Sequence, residues 1–307
     1  MKIYDMIIIG GGPAGYTAAL YAARAGLSAL VLEKLSAGGQ MAQTHQIDNY
    51  PGFEEGIDGF ELAQKMQQQA QRFGAETVLA EVKSVKLEGE VKEVITGRAT
   101  YLARTVVIST GANPRLLGLP REAELTGQGV HYCAACDGMF YRNKTVVLVG
   151  GGNSAAAEAL VLSRIAKKVI LVHRRDTLRA TKIYHEPLMR TPNVEFFWNS
   201  TVSTLLSDGR FQGVVIRDVI TGQETTIECD GLFVSIGRTP ATSLVADQVQ
   251  LDPAGYILAD ESTRTNLPGV FAIGDVRTKQ VRQVVTAVAD GAAAAHYAEE
   301  YLAQLEK

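Results

Sequence analysis

The chain has 307 residues, a length that suits two α/β domains better than one small core. Hydrophobic residues make up 46% of it and charged residues 21%, which is typical of an ordinary globular protein. The net charge of −3 gives no electrostatic reason to expect a nucleic acid or an anionic membrane as a partner.

The apolar stretch at residues 6–32 is long enough to suggest a membrane span or a signal peptide, but three glycines, Pro13 and Arg24 interrupt it. We predict instead a buried strand that leads into a buried helix. We therefore expect a cytoplasmic protein that is not inserted in a membrane.

The same β-α-β pattern occurs twice in the chain. Each copy consists of a strand, a glycine-rich turn, a helix and a second strand. In the first copy these elements are predicted at 6–9, 10–15, from there to about 25, and 28–32. In the second copy they are predicted at 145–149, 150–155, from there to about 165, and 168–172. Both copies span 23 positions from the first glycine to the residue after the second strand (33 − 10 and 173 − 150), so two unrelated glycine-rich turns are a poor explanation.

Each glycine-rich turn has the spacing of a dinucleotide-binding fingerprint. The first glycine, Gly10 or Gly150, allows a tight turn, and Gly12 or Gly152 lets a pyrophosphate approach the backbone. A small third residue lets helix and strand pack, and the N–H groups at the helix N-terminus bind negative charge. Two such sites in one chain indicate hydride transfer between two cofactors.

The residue after the second strand differs between the copies. In the first copy it is Glu33, where a carboxylate accepts hydrogen bonds from ribose hydroxyl groups. In the second copy His173, Arg174 and Arg175 stand there, and Arg179 follows one turn later. Guanidinium groups bind a 2′-phosphate that a carboxylate would repel. We therefore predict an adenosine without a 2′-phosphate at the first site and NADPH at the second, with a solvated basic patch as the alternative interpretation of the arginines.

Three more apolar strands and a helix complete the predicted sheets. The strands lie at 105–109, at 231–236 and at 270–273, the last followed by Gly274 and Asp275, and the helix lies at 283–305. The predicted fold class is α/β, with two Rossmann-like dinucleotide-binding domains, the second inserted into the first. We place the discontinuous first domain at residues 1–116 and 245–307 and the inserted domain at residues 117–244.

Cys133 and Cys136 form a Cys-x-x-Cys pair, which in a cytosolic protein is typically redox-active or metal-binding. Thiols at this spacing can close a disulfide and exchange it with an external one. Asp137, next to the pair, can deliver a proton to a departing thiolate. Half a zinc site with His131 as a third ligand is the alternative, but the chain has no second ligand pair, so we predict no metal. We predict that Cys229 is a small buried residue.

Six segments together are similar to those of the low-molecular-weight thioredoxin reductases, and the resemblance covers essentially the whole chain in order. They are Gly10-x-Gly12-x-x-Gly15, Gly38-Gly39-Gln40, Asn49-Tyr50-Pro51-Gly52, Cys133-Ala-Ala-Cys136-Asp137, His173-Arg174-Arg175 and Gly274-Asp275. The resemblance implies a homodimeric flavoprotein that passes electrons from NADPH through FAD to the Cys133–Cys136 disulfide and on to thioredoxin. It also implies that Cys136 faces the flavin, that Cys133 attacks the disulfide of thioredoxin, and that Asp137 is the acid.

The resemblance further implies which residues hold the two cofactors. The FAD site would comprise Gly10, Gly12, Pro13, Ala14, Gly15, Glu33, Lys34, Gly38, Gly39, Gln40, Asn49, Gly111, Gly274, Asp275, Arg282, Gln283 and Val284. The NADPH site would comprise Gly152, Asn153, Ser154, His173, Arg174, Arg175 and Arg179. The discontinuous domain is then the FAD domain, and the inserted domain carries NADPH and the dithiol.

One residue departs from the family pattern, because Ala135 stands where the family usually has threonine, and this change bears on the redox potential. Two other functions share parts of the pattern. The flavoprotein of a peroxide-reducing system has the same core but normally carries an N-terminal thioredoxin-like module, for which a fingerprint starting at residue 10 leaves no room. A non-catalytic redox sensor with FAD and a dithiol would not need the complete NADPH site.

Overall fold

The computed structural model describes residues 2–44 and 46–305. The chain divides into two compact units, the first made of Met1–Asn113 with Thr239–Lys307 and the second of Pro114–Arg238. The second unit is therefore inserted in the sequence of the first.

The first part of the chain contains seven strands and two helices. The strands are β1 Ile3–Ile9, β2 Ala29–Glu33, β3 Glu76–Leu79, β4 Val82–Lys86, β5 Lys92–Thr96, β6 Thr100–Ile108 and β7 Ala112–Pro114. The helices are α1 Pro13–Arg24 and α2 Gly59–Arg72.

Residues 114–238, all of which the structure describes, contain eight strands and four helices. The strands are β8 Val130–His131, β9 Thr145–Val149, β10 Lys168–Val172, β11 Val194–Phe197, β12 Ser200–Ser207, β13 Phe211–Asp218, β14 Glu224–Glu228 and β15 Gly231–Val234. The helices are α3 Glu122–Leu125, α4 Ala134–Asp137, α5 Asn153–Ser163 and α6 His185–Met189.

The chain then passes through β16 Arg238–Pro240 and returns to the first unit with β17 Val270–Ala272 and α7 Val284–Leu305. Turns of 3-10 helix lie at Gly39–Gln43, Gly138–Tyr141, Lys182–Tyr184 and Gly274–Val276. Among the helices of the described residues, none combines the length and the apolar character that crossing a membrane requires.

The sheet of the first unit has the strand order β3-β2-β1-β6-β5-β4, and β17 also pairs with β6. The strands β3, β2, β1, β6 and β17 are parallel, whereas β5 and β4 are antiparallel to their neighbours. Because the carboxyl ends of parallel strands lie at one edge of a sheet, the turns after β1, β2, β6 and β17 are neighbours.

The second unit has a five-stranded sheet in the order β11-β10-β9-β15-β8, and a three-stranded sheet in the order β12-β13-β14. The five-stranded sheet is entirely parallel, and the three-stranded one is antiparallel. β16 pairs with β7 in a further two-stranded sheet. The predicted α/β fold class with parallel Rossmann-like sheets is thus confirmed.

Side chains alternate between the two faces of the first sheet along β1, and both faces are buried. Met6 and Ile8 belong to the hydrophobic cluster that includes α1 and α7, while Ile7 and Ile9 belong to a second cluster. Burial on both faces explains why this strand has a continuous apolar sequence instead of an alternating one. On the helical side, a Cβ on Gly291 of α7 would lie 2.4 Å from a carbonyl oxygen of α1, so the two helices touch through their backbones.

Candidate active site

The turn after β1 contains two close backbone contacts. Gly10 has a φ of +106°, and a Cβ there would lie 2.4 Å from the carbonyl oxygen of Ser109. A Cβ on Gly15 would lie 2.0 Å from the carbonyl oxygen of Gly10. Both positions therefore require glycine for the packing of the protein's own backbone.

Gly12, by contrast, faces open space. Among the described residues, the nearest atom to a Cβ built there is the carbonyl oxygen of Gly38, at 4.0 Å. Gly12 is also the N-cap of α1, and no described side chain caps the amides of its first turn. Internal packing does not explain this glycine, and the open space before the helix N-terminus would fit a pyrophosphate. We call residues 10–15 together with Glu33 the first cradle; its geometry fits a dinucleotide.

Glu33 is held at the end of β2, beside this turn. Its Oε2 accepts a hydrogen bond from the N–H of Gly11 at 2.7 Å, and its Oε1 accepts one from the N–H of Leu35 at 3.1 Å. Each carboxylate oxygen has two lone pairs. The carboxylate is therefore fixed in position and can still accept hydrogen bonds from the hydroxyl groups of a ribose.

Three hydrogen bonds join distant segments that contain other residues of the expected FAD site. The N–H of Gly38 donates to the carbonyl oxygen of Gly11 at 2.7 Å. The side-chain amide of Gln40 donates to Asn113 at 3.0 Å. The side-chain amide of Asn49 donates to Gln283, which lies 234 residues away in the sequence, at 3.0 Å.

The remaining residues of that expected site are also in the first unit. Pro13 and Ala14 begin α1, Gly111 has a φ of +73°, and Val284 begins α7. The guanidinium of Arg282 lies over the ring of Tyr256, with its carbon 4.2 Å from the ring centre. Lys34 is exposed, and its Nζ lies 2.9 Å from a carboxylate oxygen of Glu81, so it already has an anionic partner.

The turn at Gly274–Val276, which contains Asp275, is held by a buried charged network that the sequence analysis did not identify. Asp290 of α7 accepts hydrogen bonds from the N–H of Gly274 at 2.8 Å, from Arg277 at 2.7 and 2.9 Å, and from Lys279 at 2.9 Å. Burial acts to raise the pKa of Asp290, but the hydrogen bonds and charges of Arg277 and Lys279 keep that pKa below its usual value. The one available signal was a lone aspartate within an alanine-rich helix.

The turn after β9 repeats the geometry of the first cradle. A Cβ on Gly150 would lie 2.3 Å from the carbonyl oxygen of Ser235. Gly152 faces open space, because among the described residues the nearest atom to its Cβ position is Nη2 of Arg179, at 4.0 Å. We call residues 150–155 together with His173 the second cradle.

His173 occupies the place in the second cradle that Glu33 has in the first. A Cβ on Gly151 would lie 2.1 Å from Cε1 of this imidazole, so the ring packs directly on the turn. Burial lowers the pKa of His173, and the positive charges of Arg179, Arg174 and Arg175 lower it further. The imidazole is therefore neutral near pH 7, and its buried Nε2 has no hydrogen-bond partner among the described residues.

Three exposed arginines surround the second cradle: Arg174, Arg175 and Arg179. None of these three arginines takes part in the ion pairs found among the described residues of the second unit. The N–H of Arg179 donates to the carbonyl oxygen of Gly151 at 2.7 Å, which ties this segment to the glycine turn. Guanidinium groups without carboxylate partners suit an anion such as a 2′-phosphate.

Asn153 and Ser154 begin α5 at the same cradle. The side-chain oxygen of Asn153 accepts a hydrogen bond from the N–H of Thr181 at 2.7 Å. Asn153 therefore helps to hold the segment that carries Arg179, whereas Ser154 is exposed.

Cys133 and Cys136 are joined by a disulfide bond in the second unit. Cys133 is the N-cap of α4, and Cys136 lies within that one-turn helix. The N–H of Asp137 donates to the carbonyl oxygen of Cys133 at 3.1 Å. The helical turn therefore holds the two cysteines and the carboxylate in one compact group.

Asp137 lies next to a histidine, His131, that was predicted only as a possible zinc ligand. Its Oδ2 lies 3.0 Å from Nδ1 of His131, and Nε2 of the same ring lies 2.7 Å from the hydroxyl of Tyr141. Both ring nitrogens of His131 therefore have a polar oxygen within 3.0 Å. Within the described part of the chain, no group of three or more His, Cys, Asp or Glu residues is arranged to hold a metal ion.

Glu158 of α5 is a further polar residue near the disulfide that sequence reasoning missed. Burial raises the pKa of its carboxyl to about 7, and Ser235, Arg238 and the backbone of Ala134 oppose this only in part. Its Oε2 is buried and lacks a hydrogen-bond partner among the described residues. No sequence signal marks it, because a glutamate in a helix is ordinarily exposed. Its contact with the backbone of Ala134 places this buried carboxyl beside α4.

The third cysteine, Cys229, is buried and outside the disulfide, as predicted. Burial raises the pKa of its thiol to about 12, so it remains protonated and unreactive near neutral pH.

Comparison with known proteins assigns these features to a family. The model of the pyridine nucleotide-disulphide oxidoreductase family matches residues 4–291. The chain is 44% identical to the thioredoxin reductase of Peptoclostridium acidaminophilum, over 98% of each chain. It is 46% identical to that of Listeria monocytogenes, over 100% of this chain and 96% of the relative.

A solved structure supports the same assignment. The crystal structure of thioredoxin reductase from Streptococcus pyogenes MGAS5005 superposes with a TM-score of 0.92 at 46% identity, covering 98% of this chain and 99% of that one. Membership of the matched family implies a flavin and an NAD(P) cofactor, which agrees with the two cradles. The chain belongs to the pyridine nucleotide-disulphide oxidoreductases and, within them, to the low-molecular-weight thioredoxin reductases.

Proposed function

We propose that this protein is an NADPH-dependent thioredoxin reductase in which the first unit binds FAD and the second unit binds NADPH. The observation that carries the proposal is the Cys133–Cys136 disulfide, which lies in the same unit as the arginine-flanked second cradle. Relatives that match the chain over nearly its full length are thioredoxin reductases, and this supports thioredoxin as the substrate.

The difference in charge between the two cradles supports the choice of cofactors. Glu33 in the first cradle suits the ribose hydroxyls of FAD. The other residues of the expected FAD site, which also lie in the first unit, would surround that cofactor. In the second cradle the NADPH site would consist of Gly152, Asn153, Ser154, His173, Arg174, Arg175 and Arg179. When bound, FAD would accept a hydride from NADPH and supply the two electrons that reduce the disulfide.

The cysteines then exchange a disulfide with thioredoxin. The thiol of Cys133 gives its proton to Asp137, and the resulting thiolate attacks one sulfur of the thioredoxin disulfide. The other thioredoxin sulfur leaves and takes the proton from Asp137. Cys136 then attacks the sulfur of Cys133, which re-forms the Cys133–Cys136 bond and releases the second thioredoxin sulfur, and this sulfur takes the proton of Cys136.

The proposal includes a homodimer located in the cytoplasm. A cysteine pair that is reduced again in every cycle suits a reducing compartment, and the family resemblance supports the dimer. Sedimentation velocity should give a species of twice the 33.0 kDa chain mass. A species with the mass of a single chain at micromolar concentration would contradict the dimer.

The central test is a coupled assay with purified protein. The released flavin is identified by chromatography, and NADPH oxidation is followed with and without oxidised thioredoxin while the thiols formed on thioredoxin are counted. We expect two thiols per NADPH consumed and little oxidation without thioredoxin. Faster reduction of a peroxidase partner than of thioredoxin would favour the peroxide-reducing alternative, and the absence of turnover with either disulfide would favour a redox sensor.

A further inference from the structure

Three polar side chains in the same unit as the disulfide form a row of short contacts: Asp137, His131 and Tyr141. Oδ2 of Asp137 lies 3.0 Å from Nδ1 of His131, and Nε2 of His131 lies 2.7 Å from the hydroxyl of Tyr141. The side chain of His131 is 6% exposed and that of Asp137 is 16% exposed, so only the carboxyl end of the row has access to solvent. The disulfide exchange described above uses Asp137 but not the other two residues.

Aromatic packing keeps the His131 ring in one orientation. The ring stacks on Phe233 with centres 5.3 Å apart and planes inclined by 28°. Tyr141 meets His131 edge-on at 5.2 Å and Phe233 edge-on at 5.3 Å. His131 and Phe233 are also direct partners in the register of β8 and β15. The ring therefore cannot rotate away from Asp137 without disturbing the core of the second unit.

The chemistry of the three groups decides which atom carries each hydrogen. Burial, and then the charges of Asp137 and Asp230 and the neighbouring Cys229, raise the pKa of Tyr141 well above its usual range, so its phenol keeps its proton. A carboxylate oxygen can only accept a hydrogen bond, so pairing with Oδ2 of Asp137 requires the hydrogen on Nδ1 of His131. In the neutral ring Nε2 is then an acceptor, and the hydroxyl of Tyr141 donates to it.

We infer that His131, supported by Tyr141, is a positioning residue that reserves Oδ2 of Asp137 for a permanent hydrogen bond and leaves Oδ1 to carry the proton exchanged with Cys133. The inference rests on the proposed function, since it concerns the proton transfer of disulfide exchange. The S–H bond of Cys133 breaks as an O–H bond forms at Oδ1, and that O–H bond breaks when the leaving sulfur of thioredoxin takes the proton. Oδ2 accepts from Nδ1–H in both states, so no proton moves to the ring.

The other charged and titratable groups around the row leave this arrangement intact. Cys229 and Asp230 lie beyond Tyr141, and the ammonium group of Lys144 lies 5.5 Å from the centre of its ring. The thiol of Cys229 has a pKa of about 12 and keeps its proton. Asp230 accepts a hydrogen bond from the N–H of Thr145 at 2.9 Å. Nε2 of His131 therefore retains a protonated phenol as its partner near neutral pH.

The first test observes the tautomer of His131 directly, without turnover. The holoenzyme is labelled with ¹⁵N-histidine, and the ring resonances of His131 are identified by their loss in the variant His131→Phe. We expect the resonances of a neutral ring protonated at Nδ1 and unprotonated at Nε2. A ring protonated at Nε2 alone would overturn the inference, because that tautomer cannot donate to Asp137.

The second test measures the reactivity of Cys133 against pH in the reduced holoenzyme, by iodoacetamide labelling and peptide mass spectrometry. The dependence of the labelling rate on pH should change in Asp137→Asn, because this variant has no carboxylate next to the cysteines. The profile should shift to higher pH in His131→Phe, which keeps an aromatic ring on Phe233 but loses the donor to Asp137. His131→Asn keeps a donor near the position of Nδ1 and should restore most of the wild-type profile.

Turnover should follow the same order. We expect His131→Phe to reduce thioredoxin about tenfold more slowly, while NADPH reduces its bound flavin at the wild-type rate. His296→Asn is the matched control, since this histidine is 64% exposed and lies 3.5 Å from Glu300. An unchanged labelling profile in folded His131→Phe, or an equal loss in His131→Asn and His131→Phe, would overturn the positioning role. If the wild type fails to reduce thioredoxin, the proposed function fails, and the tautomer and labelling results still decide the inference.

Discussion

Removing the two guanidinium groups that follow β10 should change the choice of nicotinamide cofactor. The double variant is Arg174→Ala/Arg175→Ala. In the wild type both arginine side chains are exposed, and neither takes part in an ion pair among the described residues. Their loss therefore breaks no salt bridge within the protein. Each guanidinium hydrogen bond to a 2′-phosphate is charge-assisted and contributes about 1.5–3 kcal/mol. Because solvent screens these exposed groups, we take the lower value, and two such bonds then correspond to about a hundredfold in affinity.

The assay compares the KM values for NADPH and NADH in the double variant and in the wild type, with thioredoxin as acceptor. We expect the KM for NADPH to rise about a hundredfold and the KM for NADH to change by no more than about twofold. Arg190→Ala is the matched control, because this exposed guanidinium of the second unit already pairs with Glu186 at 2.7 Å. An unchanged ratio of the two KM values would show that these arginines do not bind the 2′-phosphate. An equal rise for both cofactors would show that they act on another part of the dinucleotide.

Three further substitutions test other parts of the molecule. Cys133→Ser should abolish thioredoxin reduction while NADPH still bleaches the bound flavin, and near-normal turnover would exclude Cys133 as the exchanging nucleophile. Gly151→Ala would place a Cβ 2.1 Å from the ring of His173 and displace that ring. Calorimetry should then show weaker NADPH binding at unchanged flavin content. An unaltered affinity for NADPH would contradict the packing of the ring on the turn. Asp290→Ala removes the carboxylate that the buried cations Arg277 and Lys279 share, and it should lower the free energy of unfolding in urea by about 3–5 kcal/mol. A loss below about 1 kcal/mol would refute this role. In the wild type, folding lowers the pKa of Asp290 below its unfolded value of about 3.9. The contribution of Asp290 to the free energy of unfolding is therefore complete above that unfolded value and is lost as the pH falls through the lower folded value. Urea unfolding curves measured at acidic pH should show this loss.

The sequence by itself determined the fold class and the two dinucleotide turns. The predicted strands at 6–9 and 145–149 lie within β1 and β9, and the glycines after each strand form the expected turns. These features are local, since backbone conformation and strand pairing in a β-α-β unit follow from apolar runs and glycine spacing over some thirty residues. The disulfide was also predictable, because a short loop keeps Cys133 and Cys136 close together.

Only the tertiary structure supplied the distances around each glycine and the partners of the buried polar side chains. A Cβ on Gly10 would lie 2.4 Å from the carbonyl oxygen of Ser109, whereas a Cβ on Gly12 would face open space. The tertiary structure also places Nδ1 of His131 3.0 Å from Oδ2 of Asp137, and it shows that Asp290 supports the turn at Gly274. These pairings depend on how side chains from separate strands and helices meet in the folded core. No periodicity or spacing along the chain encodes such contacts, because a buried polar side chain acquires its partner only when the surrounding elements pack.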